Sequence, residues 1–438
     1  MTRSPASFLP APEQAAALTE RSLSPLAQGM EDSQIRAVAS QVWALQAQGV
    51  EVCNLTIGDF VPAQFPVPKA FMERMVREAQ AGQTNYTPSD GIPELKKAIA
   101  DQYQRELGID FGPESVVVGA GARPLMWATY LAFLKPGDGF AYGVPSWNTQ
   151  YYDYLFQCRG LVMVGRPEAR FLPTVEQVER VLPQARILAL NSPLNPTGTA
   201  YRAEELEPVC QALLAENKRR ERDGRPPCML MYDQVYWTLT GPGVAHSHPL
   251  ALVPELAPYT VYLDAISKSL AATGLRVGWA VVPPHLQGAF KSVIGHMGGF
   301  APRPEQRAAA WYLAQPEQVA ADRAVMNAGV RSRLGLLVET IEGMRDEGLP
   351  VDLIRPEGGI YLSVRFDLHG RRTASGQKLD TNDDIRLFLL HEAGLAVVPF
   401  QAFGLEGDTG WFRISVGAAE PAKVIAGLER LRTALRGM

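Results

Sequence analysis

The stretch "LDAISKSLAATGLRVGW", Leu263 to Trp279, decides how this chain reads. It begins in a short apolar run, "TVYLDA" (260–265). A lone amine, Lys268, then stands between Ser267 and Ser269. A fixed cation, Arg276, follows eight residues later inside a Thr-Gly-Leu-Arg-Val-Gly frame. A lysine at the end of a buried strand loses hydration, which lowers its pKa and makes the amine a nucleophile. Taken singly, the same two residues also read as a surface lysine and a salt-bridging arginine.

Working outward, short apolar runs alternate with segments of helical length between about 115 and 285. They are "SVVVG" (115–119), "GFAYGVP" (139–145), "RILALNSP" (186–193), "CMLMYD" (228–233), "TVYLDA" (260–265) and "GWAVVP" (278–283). Runs that are apolar on both faces suit a mostly parallel sheet covered by helices on each side, the doubly wound α/β class. In that class ligands sit at the carboxyl ends of the strands. Five of the six runs end in groups with chemistry to offer: Gly119–Gly121, Pro145–Trp147, Asn191–Asn195, Asp233 and Ser267–Lys268. Their convergence on one edge is a site hypothesis.

At 438 residues the chain is too long for one ordinary domain and suggests two. Residues 61–319 read as a large domain. Residues 26–60 and 320–438, where helices and strands mix, read as a smaller α+β domain. Residues 1–25, rich in Ala, Pro and Ser, read as a flexible arm. The segment 31–49 has a helical period, ends at Gly49 and is expected to pack with the small domain. A hydrophobic share of 46% against 20% charged is the balance of a soluble globular protein. A net charge of -4 argues against nucleic-acid or anionic-membrane partners. No apolar run approaches the roughly 18 residues of a membrane span. The start lacks the pattern of a secretory signal. Cys53, Cys158, Cys210 and Cys228 are scattered, which points to reduced thiols in the cytoplasm. No histidine or cysteine spacing suggests a metal.

Four further motifs carry chemistry. "NSPLNPTG" (191–198) is a rigid turn that offers the Asn195 amide at a strand end. In "YDQVYW" (232–237), Asp233 closes an apolar run, where a carboxylate is costly unless it meets a cation or strong donor. Tyr236 lies three residues on; a capping Asp and a core Tyr are the plain alternative. "GAGARP" (119–124) opens a helical segment whose first N–H groups can bind phosphate. It lacks the third glycine of a dinucleotide loop, because position 124 is Pro. "WFRISVG" (411–417) places Arg413 late in the chain.

In this order and spacing, N-x-x-x-N-P-T-G, D-x-x-Y, S-K, T-G-x-R-x-G and R-I-S resemble the fold-type-I pyridoxal-phosphate aminotransferases of class I/II. The resemblance runs from about Leu23 to the chain's end. It implies that Lys268 links covalently to the aldehyde of pyridoxal 5′-phosphate and then moves the proton at the substrate α-carbon. Ser267 beside it would also contact the cofactor. By the same resemblance Arg276 clamps the phosphate with its planar fork. Ala122 and Arg123 lie in the phosphate loop. Asp233 keeps the pyridine nitrogen protonated, Asn195 and Tyr236 hold the ring oxygen, and Trp147 stacks on the ring. Arg413, Gly58 and Asn195 hold the substrate α-carboxylate. Tyr86 reaches the phosphate of a neighbouring subunit, so the resemblance implies a homodimer with shared sites.

Two departures stand out. Many members carry serine three residues before the lysine, where this chain has Ala265, which implies weaker cofactor retention. The usual G-E-P-D-F appears here as "GDFVPAQF" (58–65), so the loop over the substrate is expected to differ. Arg123 matches a position where the aspartate-using branch commonly carries lysine. It could bind a distal carboxylate bidentately or only support the phosphate loop. The expected reaction is transfer of an amino group from aspartate or glutamate to a 2-oxo acid such as 2-oxoglutarate. An aromatic aminotransferase, a β-eliminating C–S lyase and a non-catalytic regulator are the alternatives. The regulator would carry a DNA-binding domain ahead of the fold, and the residues before Leu26 are not basic.

Overall fold

The computed structural model describes residues 10–438 apart from 33 and 148. The apolar runs form one seven-stranded sheet. Its spatial order is Val116–Gly119, Gly278–Val281, Thr260–Ala265, Met229–Asp233, Ala185–Asn191, Gly139–Val144 and Arg159–Val164. The Gly278–Val281 strand runs antiparallel to both neighbours, and the other pairings are parallel. Alternate side chains enter opposite layers, as a sheet covered on both faces requires. Val116, Val118, Leu230 and Tyr232 join one buried cluster, whereas Val117, Met229 and Met231 join the other.

The strand Arg159–Val164 is absent from the expected set. It sits at the sheet edge, and along it only Met163 is buried while Val162 and Val164 are exposed. A run sought by two apolar faces misses a strand with one.

A second core gathers around a four-stranded antiparallel sheet in the order Val398–Pro399, Trp411–Ser415, Tyr361–Phe366 and Val351–Ile354. The helices Pro316–Asp346, Asn382–Ala393 and Pro421–Arg436 cover it. Thr381 caps the middle helix, its hydroxyl accepting from the Asp384 N–H while the Asp384 carboxylate accepts from the Thr381 N–H. The early segment also belongs here, because Cys53–Asn54 pairs in parallel with Leu395–Ala396. That pairing delivers Gly58 to the large sheet. The expected helix spans Gln34–Ala47, and Gly49 follows with φ +82°. Its Val42 packs with Val52, Leu390 and Ala396. Arg386 Nη1 donates to Gln41 Oε1 at 3.0 Å.

The arm differs from expectation. Residues 1–9 lie outside the described residues, but Pro12–Ser22 is an α-helix. Pro stands in its first turn, three alanines follow, and Arg21 sits in its last turn, a local pattern strong enough to form helix with no buried face. Among the described residues no helix is long and apolar enough to cross a membrane.

The loop after Asn191 is pressed against the small sheet. Gly198 has φ +73°, and a Cβ there would lie 2.1 Å from the Tyr361 carbonyl oxygen. Gly198→Ala is therefore expected to cost about 3 kcal/mol, with strain added to a left-handed backbone. Gly224→Ala, at φ +64° with nothing within 4 Å, should cost only about 1–2 kcal/mol. Denaturant melts of the two variants beside wild type check the difference; equal losses would remove the close-approach argument.

Candidate functional site

Strand register assembles the site. Asn191 lies opposite Asp233, Asp233 opposite Leu263, and Gly278 opposite both Ala265 and Gly119. The groups that follow these residues therefore meet at one carboxyl edge. There the chain leaves the Thr260–Ala265 strand through a single turn, Ile266–Ser269, that carries buried Ser267 and then Lys268.

The Lys268 amine donates to the Gly58 carbonyl at 2.6 Å. It lies 5.8 Å from the Tyr236 ring centre and 5.9 Å from that of Phe60. Burial pulls its pKa from 10.5 to about 8; Arg413 and Arg276 push the same way and Asp59 opposes. At neutral pH an amine so placed keeps a usable neutral fraction.

An anion cradle stands next to it. Gly121 caps the helix Ala122–Phe133 at φ +84°, with no side chain accepting from the first-turn N–H groups. The Arg276 guanidinium lies against Gly121, where a Cβ would meet it at 2.2 Å. Arg276 donates to the Thr273 carbonyl at 2.6 Å and the Ala120 carbonyl at 3.0 Å. Arg123 lies 4.5 Å over the Trp147 ring. Burial lowers the Arg276 pKa, and the Arg123 charge adds to this. Among the described residues neither arginine has a salt-bridge partner. Two cations beside a bare helix N-terminus fit a phosphate or carboxylate.

Asp233 borders a cavity walled by Met126, Tyr142, Trp147, Phe171 and Leu194. Burial pushes its carboxyl up to about 6, and one donor, the Val235 N–H at 3.1 Å, opposes. No cation pairs with it among the described residues. Asn191 ties this edge together. Its amide donates to the Asp233 carbonyl at 2.8 Å, and its oxygen accepts from the Asn195 N–H at 2.9 Å. The carboxylate is thus left open to a ligand cation.

The small sheet supplies the opposite wall. Arg413 is 1% exposed and donates to Asn195 Oδ1 at 3.1 Å and to the Thr56 carbonyl. It is sandwiched 4.8 Å from the Tyr361 ring centre and 4.7 Å from that of Phe403. Among the described residues its buried Nε–H has no partner, which suits an anion. Tyr236 and Asn195, expected to act as a pair, each reach across to this wall. The Tyr236 hydroxyl lies 2.6 Å from that of Tyr361, and Asn195 meets Arg413. Gly58 is required, since a Cβ there would lie 2.7 Å from the Tyr361 hydroxyl.

The structure thus gathers Lys268, Ser267, Asp233, Tyr236, Asn195, Ala122, Arg123, Trp147, Arg276, Gly58 and Arg413 along one cleft. Tyr86 is the exception. It is 85% exposed, edge-on to Phe300, and joins none of these hydrogen bonds. Sequence reasoning missed Tyr361, Asp59 and Asp264. Tyr361 follows a glycine pair, which was a usable signal. Asp59 accepts from the Thr273 hydroxyl at 2.7 Å and ties the early loop to the Arg276 turn. Asp264 is a second buried carboxylate, pushed up to about 7 by burial and held by Trp237 Nε1 at 2.7 Å and the Tyr103 hydroxyl at 3.3 Å.

Residues 50–431 match the family model described as aminotransferase class I and II. The chain is 31% identical over 406 residues to an aspartate aminotransferase of Rhizobium meliloti, covering 92% of this chain and 93% of the relative. It is 31% identical over 392 residues to an aspartate/prephenate aminotransferase of Cereibacter sphaeroides, covering 89% and 92%. Among solved structures it resembles aspartate aminotransferases from Rhizobium meliloti (TM-score 0.85, 28% identity, 94% of this chain and 98% of the other) and from Thermus thermophilus with maleate (0.81, 28%, 94% and 99%).

The depressed lysine pKa has a stability consequence in the cofactor-free chain. Below about pH 8 both folded and unfolded states hold the proton, and the folded state bears the full burial penalty. Between about 8 and 10.5 the folded amine is neutral while the unfolded one still binds the proton, so this group's contribution rises with pH. Lys268→Met should accordingly raise the Tm at pH 7 by a few degrees, with the gain shrinking as pH climbs to 10. A Tm difference that stays constant with pH would contradict the assigned shift.

Proposed function

The chain belongs to the class I and II aminotransferases and is a transaminase, and from that premise we propose that it moves the amino group of aspartate or glutamate to a 2-oxo acid such as 2-oxoglutarate. The cofactor we assign to the cleft is pyridoxal 5′-phosphate. When bound, it supplies an aldehyde that takes up the amino group and a ring that accepts electrons. The residues suit each part of it: an amine for the aldehyde, a carboxylate without a cation for the pyridine nitrogen, and the cradle at Gly121 for the phosphate.

In this reading Lys268 holds the aldehyde and, once released by the substrate amine, carries the proton to and from the α-carbon. Its fall to about 8 brings the base into the working range of pH, and at about 6 Asp233 is still mostly ionised at neutral pH. Asp233 keeps the ring nitrogen protonated. Asn195 and Tyr236 hold the ring oxygen, and Trp147 covers the ring face. Arg276, the N–H groups of Ala122 and Arg123, and Ser267 hold the phosphate. Arg413 takes the α-carboxylate, with Asn195 and Gly58 shaping its place, and its unpartnered Nε–H supports this. Arg123 remains free for a distal carboxylate. The observation that carries the reading is the unpaired Asp233 carboxylate and the desolvated Lys268 amine at neighbouring strand ends, beside a cradle for an anion.

The exposed Tyr86 supports a second copy of the chain that would receive its hydroxyl at the phosphate, making a homodimer. The four free cysteines, three of them buried, support a reducing compartment such as the cytoplasm. The name of the Cereibacter relative makes prephenate a second acceptor worth screening, and the aromatic walls Tyr142, Trp147 and Phe171 favour it.

Lys268→Ala loaded with pyridoxal phosphate is expected to lose the visible band of the covalent link and at least about 10⁴-fold of the transamination rate. Retained turnover would remove the lysine from its role. Arg123→Met should raise KM for aspartate by about 10- to 100-fold while leaving KM for alanine within about threefold. Equal changes for both donors would end the dicarboxylate assignment.

A further inference from the structure

The two sheets meet behind the cleft in an ionic knot. Glu357, from the turn before the Tyr361–Phe366 strand, is 9% exposed. Its carboxylate accepts from Arg170 Nε at 3.1 Å, from Arg202 Nη2 at 2.9 Å and from the Ala200 N–H at 3.0 Å. Arg170 also grips Glu205 through both terminal nitrogens, at 2.8 and 2.7 Å. Two arginines and two carboxylates balance in charge, so the partly buried cluster is self-compensated. Arg170 reaches it from a left-handed backbone at φ +52°. The next residue, Phe171 at φ +63°, turns into the small-sheet cluster against Phe400 and Trp411.

The backbone around Glu357 is pinned to the same loop. Gly198 O accepts from the N–H groups of Glu357 and Gly358 at 2.7 and 2.9 Å. The Ser363 hydroxyl donates to the Thr197 carbonyl at 2.9 Å. The loop 191–200, which carries Asn195, is therefore held to the strand that carries Tyr361 and packs beside Arg413. On the cleft side Asn195 of the loop accepts from Arg413, and Tyr361 of the strand meets the Tyr236 hydroxyl. Both involve the groups assigned above to substrate and ring oxygen.

We propose that Glu357, through Arg170 and Arg202, is a positioning residue that sets the spacing of Asn195 and Tyr361 against Arg413. This rests on the aminotransferase reading. The carboxylate does not touch substrate or cofactor. It holds the loop whose displacement would misplace the α-carboxylate seat and the ring-oxygen donors together. Loss of its charge should weaken ground-state binding, which appears in KM, more than the chemical step, which appears in kcat.

The test uses the full-length enzyme loaded with pyridoxal phosphate. Uptake of the coloured cofactor by wild type, and its turnover of aspartate or alanine, check the underlying reading separately; failure of both sinks that reading and this proposal with it. With uptake established, Glu357→Gln keeps the shape and loses the charge. It is expected to raise KM for both donors about tenfold with kcat within about twofold, since a small misplacement at a binding seat has effects of this order or more. The pH midpoint of the cofactor's visible band should shift as well. Arg202→Gln, at a half-exposed side chain where folding is safe, should move the same readouts in the same direction by about two- to threefold. A fall in Tm with unchanged KM and unchanged spectral midpoint would make Glu357 a stability residue only. Should Glu357→Gln fail to fold, Arg202→Gln decides, and wild-type KM and midpoint in it overturn the proposal.

Discussion

The hydrogen bond from the Lys268 amine to the Gly58 carbonyl joins the two halves of the molecule at the point where chemistry occurs. The amine comes from the carboxyl end of a buried strand in the large sheet. The carbonyl comes from a segment paired into the small domain. Each half alone would leave that end of the cleft open to water. Together they desolvate the amine, and desolvation is what pulls it towards neutrality.

The charge pattern follows from the same geometry. Lys268, Arg276, Arg123 and Arg413 converge on one cleft, and the carboxylates nearest them are Asp59 and Asp233. Asp59 is occupied by Thr273 and its own loop, and Asp233 sits at the sheet end. A cleft of this kind is a region of positive potential that favours anions. Aromatic rings hold the guanidinium groups in place: Trp147 under Arg123, and Tyr361 and Phe403 about Arg413. Preorganisation of that sort spares the ligand the work of ordering its partners.

Rigidity behind the cleft complements it. The glycines at 198 and 358 allow two backbones to approach too closely for any side chain, and a Cβ on Gly358 would lie 2.5 Å from the Pro193 ring. Such contacts leave no room for the loop carrying Asn195 to drift. Asp264, with Trp237 and Tyr103, performs the matching task beneath Lys268, because Trp237 lies next to Tyr236 and Asp264 lies four residues before the amine. Buried polar networks of this kind resist rearrangement when every member is satisfied.

Local patterns in the chain were enough to identify the strands, the amine, the sheet-end carboxylate and the two arginines of the motif, because each depends on a run of apolar residues and on what stands at its end. They were also enough to find the helix at 34–47, whose period and terminal Gly49 are local. They failed for the edge strand 159–164, whose single buried residue carries no two-faced signal, and for the helix at 12–22, which a composition rich in Ala and Pro disguised as an arm. Apart from the glycine pair just before Tyr361, nothing local pointed to Tyr361 or Asp59 in the site, or to Glu357 behind it. Their positions relative to Lys268 arise from strand register and from the packing of one sheet on another, between segments some hundred to two hundred residues apart. Which residues end a buried strand is written in neighbouring letters. Which partners those ends meet is settled only when long-range pairing closes the cleft and removes the water.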